Sequence, residues 1–169
     1  MQVTIPTING ALAPLYSKQA APAQRYHGHP IISFPIDISG VPAGTHSLAF
    51  SFVDHDAIPV GGFTWIHWIA ANLPATTTHI PENASQTGAI PMVQGSNSTA
   101  GGYVGETDVK ISHHYVGPNP PDQDHRYSFK LFALDSELPL ASGYWLNEFH
   151  DAIAGHVLAT AKTTVIGRV

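Results

Sequence analysis

The sequence predicts an antiparallel β-sandwich with one late helix laid against a sheet or its edge. Three observations carry this. Fifteen glycines and 14 prolines are spread along most of the 169 residues, which sets turns between short runs. Three segments rich in β-formers either alternate their apolar residues or are apolar throughout. One segment near the C-terminus instead repeats its apolar residues at helical spacing.

Taken in order, Val3 to Ile8 is a weak strand candidate. His46 to Val53, HSLAFSFV, is a strong one, with Leu48, Phe50 and Phe52 on one face. Phe63 to Leu73, FTWIHWIAANL, is apolar on both faces, as a central sandwich strand is. Asn83 to Thr99 has little periodicity and reads as a long surface excursion. Lys110 to Tyr115 is a second weak strand. Arg126 to Leu134, RYSFKLFAL, places Tyr127, Phe129, Leu131 and Ala133 on one face. Leu146, Phe149, Ile153, Val157 and Ala161 fall at i, i+3, i+7, i+11 and i+15, which predicts a helix capped by Ser142 or Asn147. Gly155 inside it costs about 1 kcal/mol relative to Ala, so packing must hold it. Thr163 to Gly167 is a last weak strand.

The length fits one domain, residues 1–169, large enough to bury a core without staples. Charged residues are only 11%, against about 25% in a typical globular protein. Net charge is -5 and the 7 Lys and Arg do not cluster, so neither a nucleic-acid footprint nor a polybasic membrane anchor is expected. There is no cysteine, which excludes disulfides, thiolate metal sites and Cys nucleophiles. MQVTIPTING lacks the pattern of a secretory signal, and no apolar run approaches the ~18 residues of a membrane span. The expectation is a cytoplasmic protein without integral membrane contact.

Eleven histidines make any single one uninformative, so groups matter. The first is Asp54-His55-Asp56, followed after a turn by Trp65-Ile66-His67-Trp68. By strand parity His67 goes with Trp65, Ile69 and Ala71 and projects into an apolar face. A buried imidazole needs a partner for its ring nitrogens. A carboxylate of the Asp54 loop would fix the tautomer and raise the pKa; a backbone carbonyl fits the same pattern. The second group is Tyr115-Val116-Gly117-Pro118-Asn119-Pro120-Pro121, then Asp122-Gln123-Asp124-His125-Arg126-Tyr127. Three prolines in four residues stiffen this loop, while Gly117 and Asn119 keep their N–H groups. His125 and Tyr127 lie two apart and share a face. The third group, His113-His114 with His27 and His29, reads as solvated surface.

The first two groups occur together and in order. DHDAIPVGGFTWIHWIAANLP, Asp54 to Pro74, and YVGPNPPDQDHRYSFKLFALD, Tyr115 to Asp135, resemble the paired signatures of the phosphatidylethanolamine-binding protein family, in its prokaryotic Raf-kinase-inhibitor-like branch. AIAGHVLATA, Ala152 to Ala161, looks like the C-terminal helix of that branch. The resemblance implies a mainly β fold, two antiparallel sheets in a sandwich with one or two peripheral helices, one near the C-terminus. It also implies a pocket for a phosphate-like or carboxylate-like anion, lined by Asp54, Asp56, His67, Asn119, Pro120, Pro121, His125 and Tyr127. The chain departs from the signatures at His55, which stands where proline is usual, at an inserted Ile58, at Ser33-Phe34-Pro35-Ile36, and at Asp122-Gln123-Asp124, which lacks the common glycine.

The expected function is therefore regulatory binding of a small anion such as phosphate, phosphoethanolamine or acetate, without a cofactor. His67, His125 and Tyr127 would grip the anion, Asp54 would accept a hydrogen bond from His67, and Asp56 would brace the loop. The competing readings are a hydrolase using Asp54, His67 and His125 as an acid–base or metal set, and a protein-interaction module that inhibits a kinase or protease. No nucleophile motif accompanies the first. A homodimer is compatible with the weakly charged surface.

Overall fold

In a computed structural model, which describes residues 1–169, the strands form two antiparallel sheets. The small sheet contains β1 (Gln2–Thr4), β2 (Ile36–Ser39) and β5 (His79–Ile80), in the order β1-β2-β5. The large sheet contains β3 (Ser47–Asp54), β4 (Trp65–Pro74), β6 (Val93–Gln94), β7 (His125–Leu134) and β8 (Val157–Gly167), in the order β6-β4-β3-β7-β8. The short helices α1 (Ile58–Gly61), α2 (Ala84–Thr87) and α3 (Val109–Ser112) lie in connections, and α4 (Leu146–Ile153) lies on the large sheet.

The large sheet is covered on both faces, which explains why β4 is largely apolar on both sides. Between the sheets, Leu48, Phe50 and Phe52 of β3 meet Tyr127, Phe129, Leu131 and Ala133 of β7, together with Phe34, Ile36, Trp68 and Tyr115. These are the faces that the alternation in the sequence assigns. On the outer face, Ala49, Ile69, Ala71, Phe132 and Leu134 are sealed by Leu138, Tyr144, Phe149 and Ile153. Every residue of β3 is buried as a result. Each buried Phe or Leu contributes about 1.5–3 kcal/mol relative to exposure.

The expected late helix is correct over Leu146–Ile153 and wrong beyond it. Gly155 adopts φ +83°, which ends the helix, and Val157–Gly167 is an 11-residue strand paired along β7. Val157 and Ala161 are four apart, a spacing that fits a helical face and a strand face equally. The segment Ala152 to Ala161 therefore spans a helix end, a turn and a strand. Neither Ser142 nor Asn147 caps α4; the Trp145 N–H precedes it and donates to Glu148 Oε2 at 2.7 Å. Thr163 to Gly167 is the end of β8, and the strand expected over Val3 to Ile8 is confined to β1.

Lys110 to Tyr115 is not a strand. Asp108 Oδ1 accepts from the Lys110 N–H at 2.9 Å and caps α3, so local side-chain chemistry wins over the β-branched content. Asn83 to Thr99 is no bare excursion either. It holds α2, β6 and a buried bracket at Asn97, whose Oδ1 accepts from the Thr99 N–H at 2.9 Å and whose Nδ2 donates to the Ile111 and His114 carbonyls.

Candidate functional site

Asp54 is the last residue of β3 and is buried. Its Oδ1 accepts from the Ala57 N–H at 3.1 Å, which turns the chain into α1. The inserted Ile58 opens that helix, and His55 stands outside, its Nδ1 3.0 Å from Thr64 Oγ1. Asp56 faces away from the cavity. Its carboxylate accepts from the Arg126 N–H at 2.9 Å, Nε at 3.1 Å and Nη2 at 3.0 Å, tying the loop to β7 as a brace. Those bonds to Arg126 pull the Asp56 pKa down to about 2.

His67 sits on a β-bulge. Phe52 pairs with Trp68 and Val53 with Ile66, so His67 is the extra residue of β4. The bulge breaks strand parity. The ring joins Phe52 and Tyr127 between the sheets, 5.8 and 5.1 Å between centroids, while Ile69 and Ala71 belong to the outer face. The partner expected for His67 is also corrected. Its Nδ1 lies 2.7 Å from the Val116 carbonyl oxygen, not on Asp54, and the Val116 N–H donates back to the His67 carbonyl at 3.1 Å. Burial pushes the His67 pKa down to about 4, against the opposing pull of the Val116 carbonyl and the Asp54 charge.

Asp54 instead holds His125, with Oδ2 2.7 Å from Nδ1. The other ring nitrogen, Nε2, lies 2.9 Å from Asp122 Oδ1. Burial alone would lower the His125 pKa, but the bonds to the two carboxylates overcome it and the pKa is raised. Tyr127, two residues on, is raised by burial and by the neighbouring Asp54 charge, so its phenol stays protonated and remains a donor.

The proline-rich loop is fixed from outside. The Gly117 N–H donates to the Pro30 carbonyl at 2.8 Å, the Lys18 N–H to the Pro118 carbonyl at 2.8 Å, and Lys18 Nζ to the Pro120 carbonyl at 2.5 Å. Any Cβ at Gly117 would lie 2.3 Å from the Tyr16 carbonyl oxygen, so only glycine permits this approach.

These parts enclose one cavity of about 300 Å³. Asp54, His67, Asn119, Pro120, Pro121, His125 and Tyr127 all line it; Asp56 does not. Reasoning from sequence missed the opposite wall: Ala57, Val60, Phe63, Trp65, Thr99 and Val104, with His29 at the rim. Phe63 stacks between Trp65 and Tyr103 at 5.8 and 5.6 Å. The Phe63-Thr64-Trp65 spacing inside the first signature is the one signal that marked part of this wall. The remaining histidines stand elsewhere: His113 against Gly143, His114 on the Val109 carbonyl, His79 on Asp37 and His156 on Asp135. No three His, Asp or Glu side chains gather closely enough to hold a metal ion. No helix is long and apolar enough to cross a membrane.

A cavity lined by both hydrogen-bonding and apolar side chains suits a small ligand with a hydrogen-bonding head. Comparison with known proteins gives a consistent result. The family model for phosphatidylethanolamine-binding protein matches residues 4–167. An uncharacterized protein of Bacillus subtilis, YxkA, is 46% identical over 154 residues, covering 91% of this chain and 92% of that one. Among solved structures, a putative phosphatidylethanolamine-binding protein homolog from Chlamydia trachomatis aligns with a TM-score of 0.78 at 30% identity, covering 99% of this chain and 97% of the other. YbcL of Escherichia coli aligns with a TM-score of 0.79 at 28% identity, covering 99% and 98%.

Proposed function

The chain belongs to the phosphatidylethanolamine-binding protein family, and on that premise we propose that it binds a small oxyanion of the phosphate or carboxylate class in this cavity, as a binding and regulatory protein rather than a catalyst. One observation carries the reading: four hydrogen-bonding side chains from three adjacent strands, Asp54, His67, His125 and Tyr127, line one cavity together with the apolar Ala57, Val60, Phe63, Val104 and Val116. Asn119 and the paired prolines line the same cavity. A loop already fixed by three hydrogen bonds loses little freedom when a ligand enters.

Two features favour binding over catalysis. Both nitrogens of His125 are engaged by carboxylates, so it offers no free base. No hydroxyl nucleophile forms a hydrogen bond to either buried histidine. The test is a titration of phosphate, phosphoethanolamine and acetate at fixed ionic strength, following the ring resonances of His67 and His125. Saturable shifts at both rings are expected. If neither ring responds while the fold stays intact, the small-anion reading is wrong.

A further inference from the structure

His67 turns its two nitrogens to different surroundings. Nδ1 faces the Val116 carbonyl oxygen at 2.7 Å. A carbonyl only accepts, so the ring proton sits on Nδ1. In a neutral imidazole the other nitrogen is then a bare acceptor. Nε2 forms no hydrogen bond within the protein, and it is not sealed in the interior, since the single buried side-chain N or O atom without a partner is Asn83 Oδ1. The His67 side chain lines the cavity, and its residue is 4% exposed. An unpartnered acceptor on a buried residue therefore looks into the site.

The groups around it keep the ring neutral. From β3 comes Asp54, already paired with His125. From β7 come His125 and the protonated Tyr127. The loop before β7 adds Asp122 on the far nitrogen of His125, and Asp56 behind is paired with Arg126. His29 stands at the rim. The one cation at this site, His125, is spent on two carboxylates, and burial among Phe52 and Tyr127 holds His67 uncharged with its pKa near 4. A fully deprotonated oxyanion entering here would set its lone pairs against those of His67 Nε2 and Asp54.

We propose that the pocket takes up its oxyanion together with a proton, a hydroxyl of a singly ionised phosphomonoester donating to His67 Nε2, and that it thereby selects phosphate esters over sulfate esters. The proposal rests on the small-anion reading above. The proton comes from solvent whenever the dianion predominates. Whether it lies nearer the oxygen or Nε2, one proton is bound per ligand. A phosphomonoester, with a second pKa of about 6, supplies the monoanion readily near neutrality. A carboxylic acid, with a pKa of about 4, does so far less. A sulfate ester carries no proton at all.

Methyl phosphate and methyl sulfate are the probes, because the methyl phosphate monoanion and methyl sulfate share shape and charge and differ in the hydroxyl. Calorimetry of the whole protein at pH 7.5, in two buffers of different ionisation enthalpy, reads the proton count. Uptake of close to one proton per methyl phosphate is expected, with methyl sulfate at least about thirtyfold weaker at pH 6. His67→Gln, which leaves His125 and its carboxylates in place, should abolish the uptake and bring the two esters within about threefold. If that variant does not fold, ring ¹⁵N spectra of the wild type decide instead, since methyl phosphate must move Nε2 toward the protonated position while Nδ1 stays. Methyl phosphate binding without proton uptake, with methyl sulfate equally tight, overturns this proposal alone. Absence of saturable binding by methyl phosphate, phosphate and phosphoethanolamine overturns both this proposal and the small-anion reading.

Discussion

His67 and His125 reach the same cavity from the two strands that flank β3, and both are almost wholly buried, yet their environments drive them to opposite charge states. His67 gives its Nδ1 proton to a neutral carbonyl and packs among rings, so burial wins and the ring stays neutral. His125 sits between the carboxylates of Asp54 and Asp122, so pairing outweighs burial and the ring is held charged. What decides is the chemistry of the atom facing each nitrogen together with depth, since both rings are shielded from solvent but His67 lies deeper in the protein than His125. The cavity is thus not lined by a ring of positive charge. It presents a neutral acceptor beside an ion pair that is already satisfied.

The largest effect expected from breaking this contrast is at Asp54. Asp54→Asn leaves His125 without its buried partner and should cost about 3–5 kcal/mol in urea unfolding. It should also lower the His125 pKa. A loss under ~1 kcal/mol would show that Asp54 and His125 are not coupled as a buried pair.

The pH dependence of stability should separate the two rings by sign. For His67 the folded pKa, about 4, lies below the unfolded value of about 6.5, so the unfolded chain binds the extra proton in that window. Stability is therefore lost as pH falls from 6.5 through 4, by roughly 3 kcal/mol in full. For His125 the folded pKa is raised, so its contribution is complete below about 6.5 and is lost as pH rises through the folded value. Unfolding curves of His67→Asn should be flatter on the acid side, and those of His125→Asn flatter above neutrality. Identical pH profiles for the two variants would erase the contrast.

Asp122 should give the smallest effect on stability. Its carboxylate is half exposed, so Asp122→Asn should change unfolding by no more than ~1 kcal/mol. The same change removes a negative charge beside His125, and methyl phosphate affinity should rise several-fold at low salt and converge with the wild type at high salt. A variant that binds more weakly at every salt concentration would mean that Asp122 supports the ligand rather than competing with it.

Most of the fold was legible because three of the four long strands bury both faces or alternate cleanly, and a period of two is hard to mistake over eight to ten residues. The C-terminal error has a specific origin. Val157 and Ala161 satisfy both periods, and the β-branched run Thr163-Thr164-Val165-Ile166 was the better guide. Seven of the eight expected site residues line one cavity because they come from two continuous motifs. The pairing within the site was not legible. Asp54 lies opposite Tyr127 in the β3–β7 register, which brings it to His125, and the bulge turns His67 away from its expected partner toward Val116. Register and bulges are set by packing across the sheet and leave no mark in local spacing. The aromatic wall was hidden for a similar reason, since Phe63 and Tyr103 meet from separate segments.

The most direct test of two opposite histidines in one pocket is a ring ¹⁵N correlation spectrum of the free protein at pH 7, with His67 and His125 assigned through their Asn variants. The account predicts His67 as a single neutral tautomer, protonated at Nδ1 and bare at Nε2, and His125 with both nitrogens protonated. A doubly protonated His67, or a His67 whose proton sits on Nε2, would contradict it.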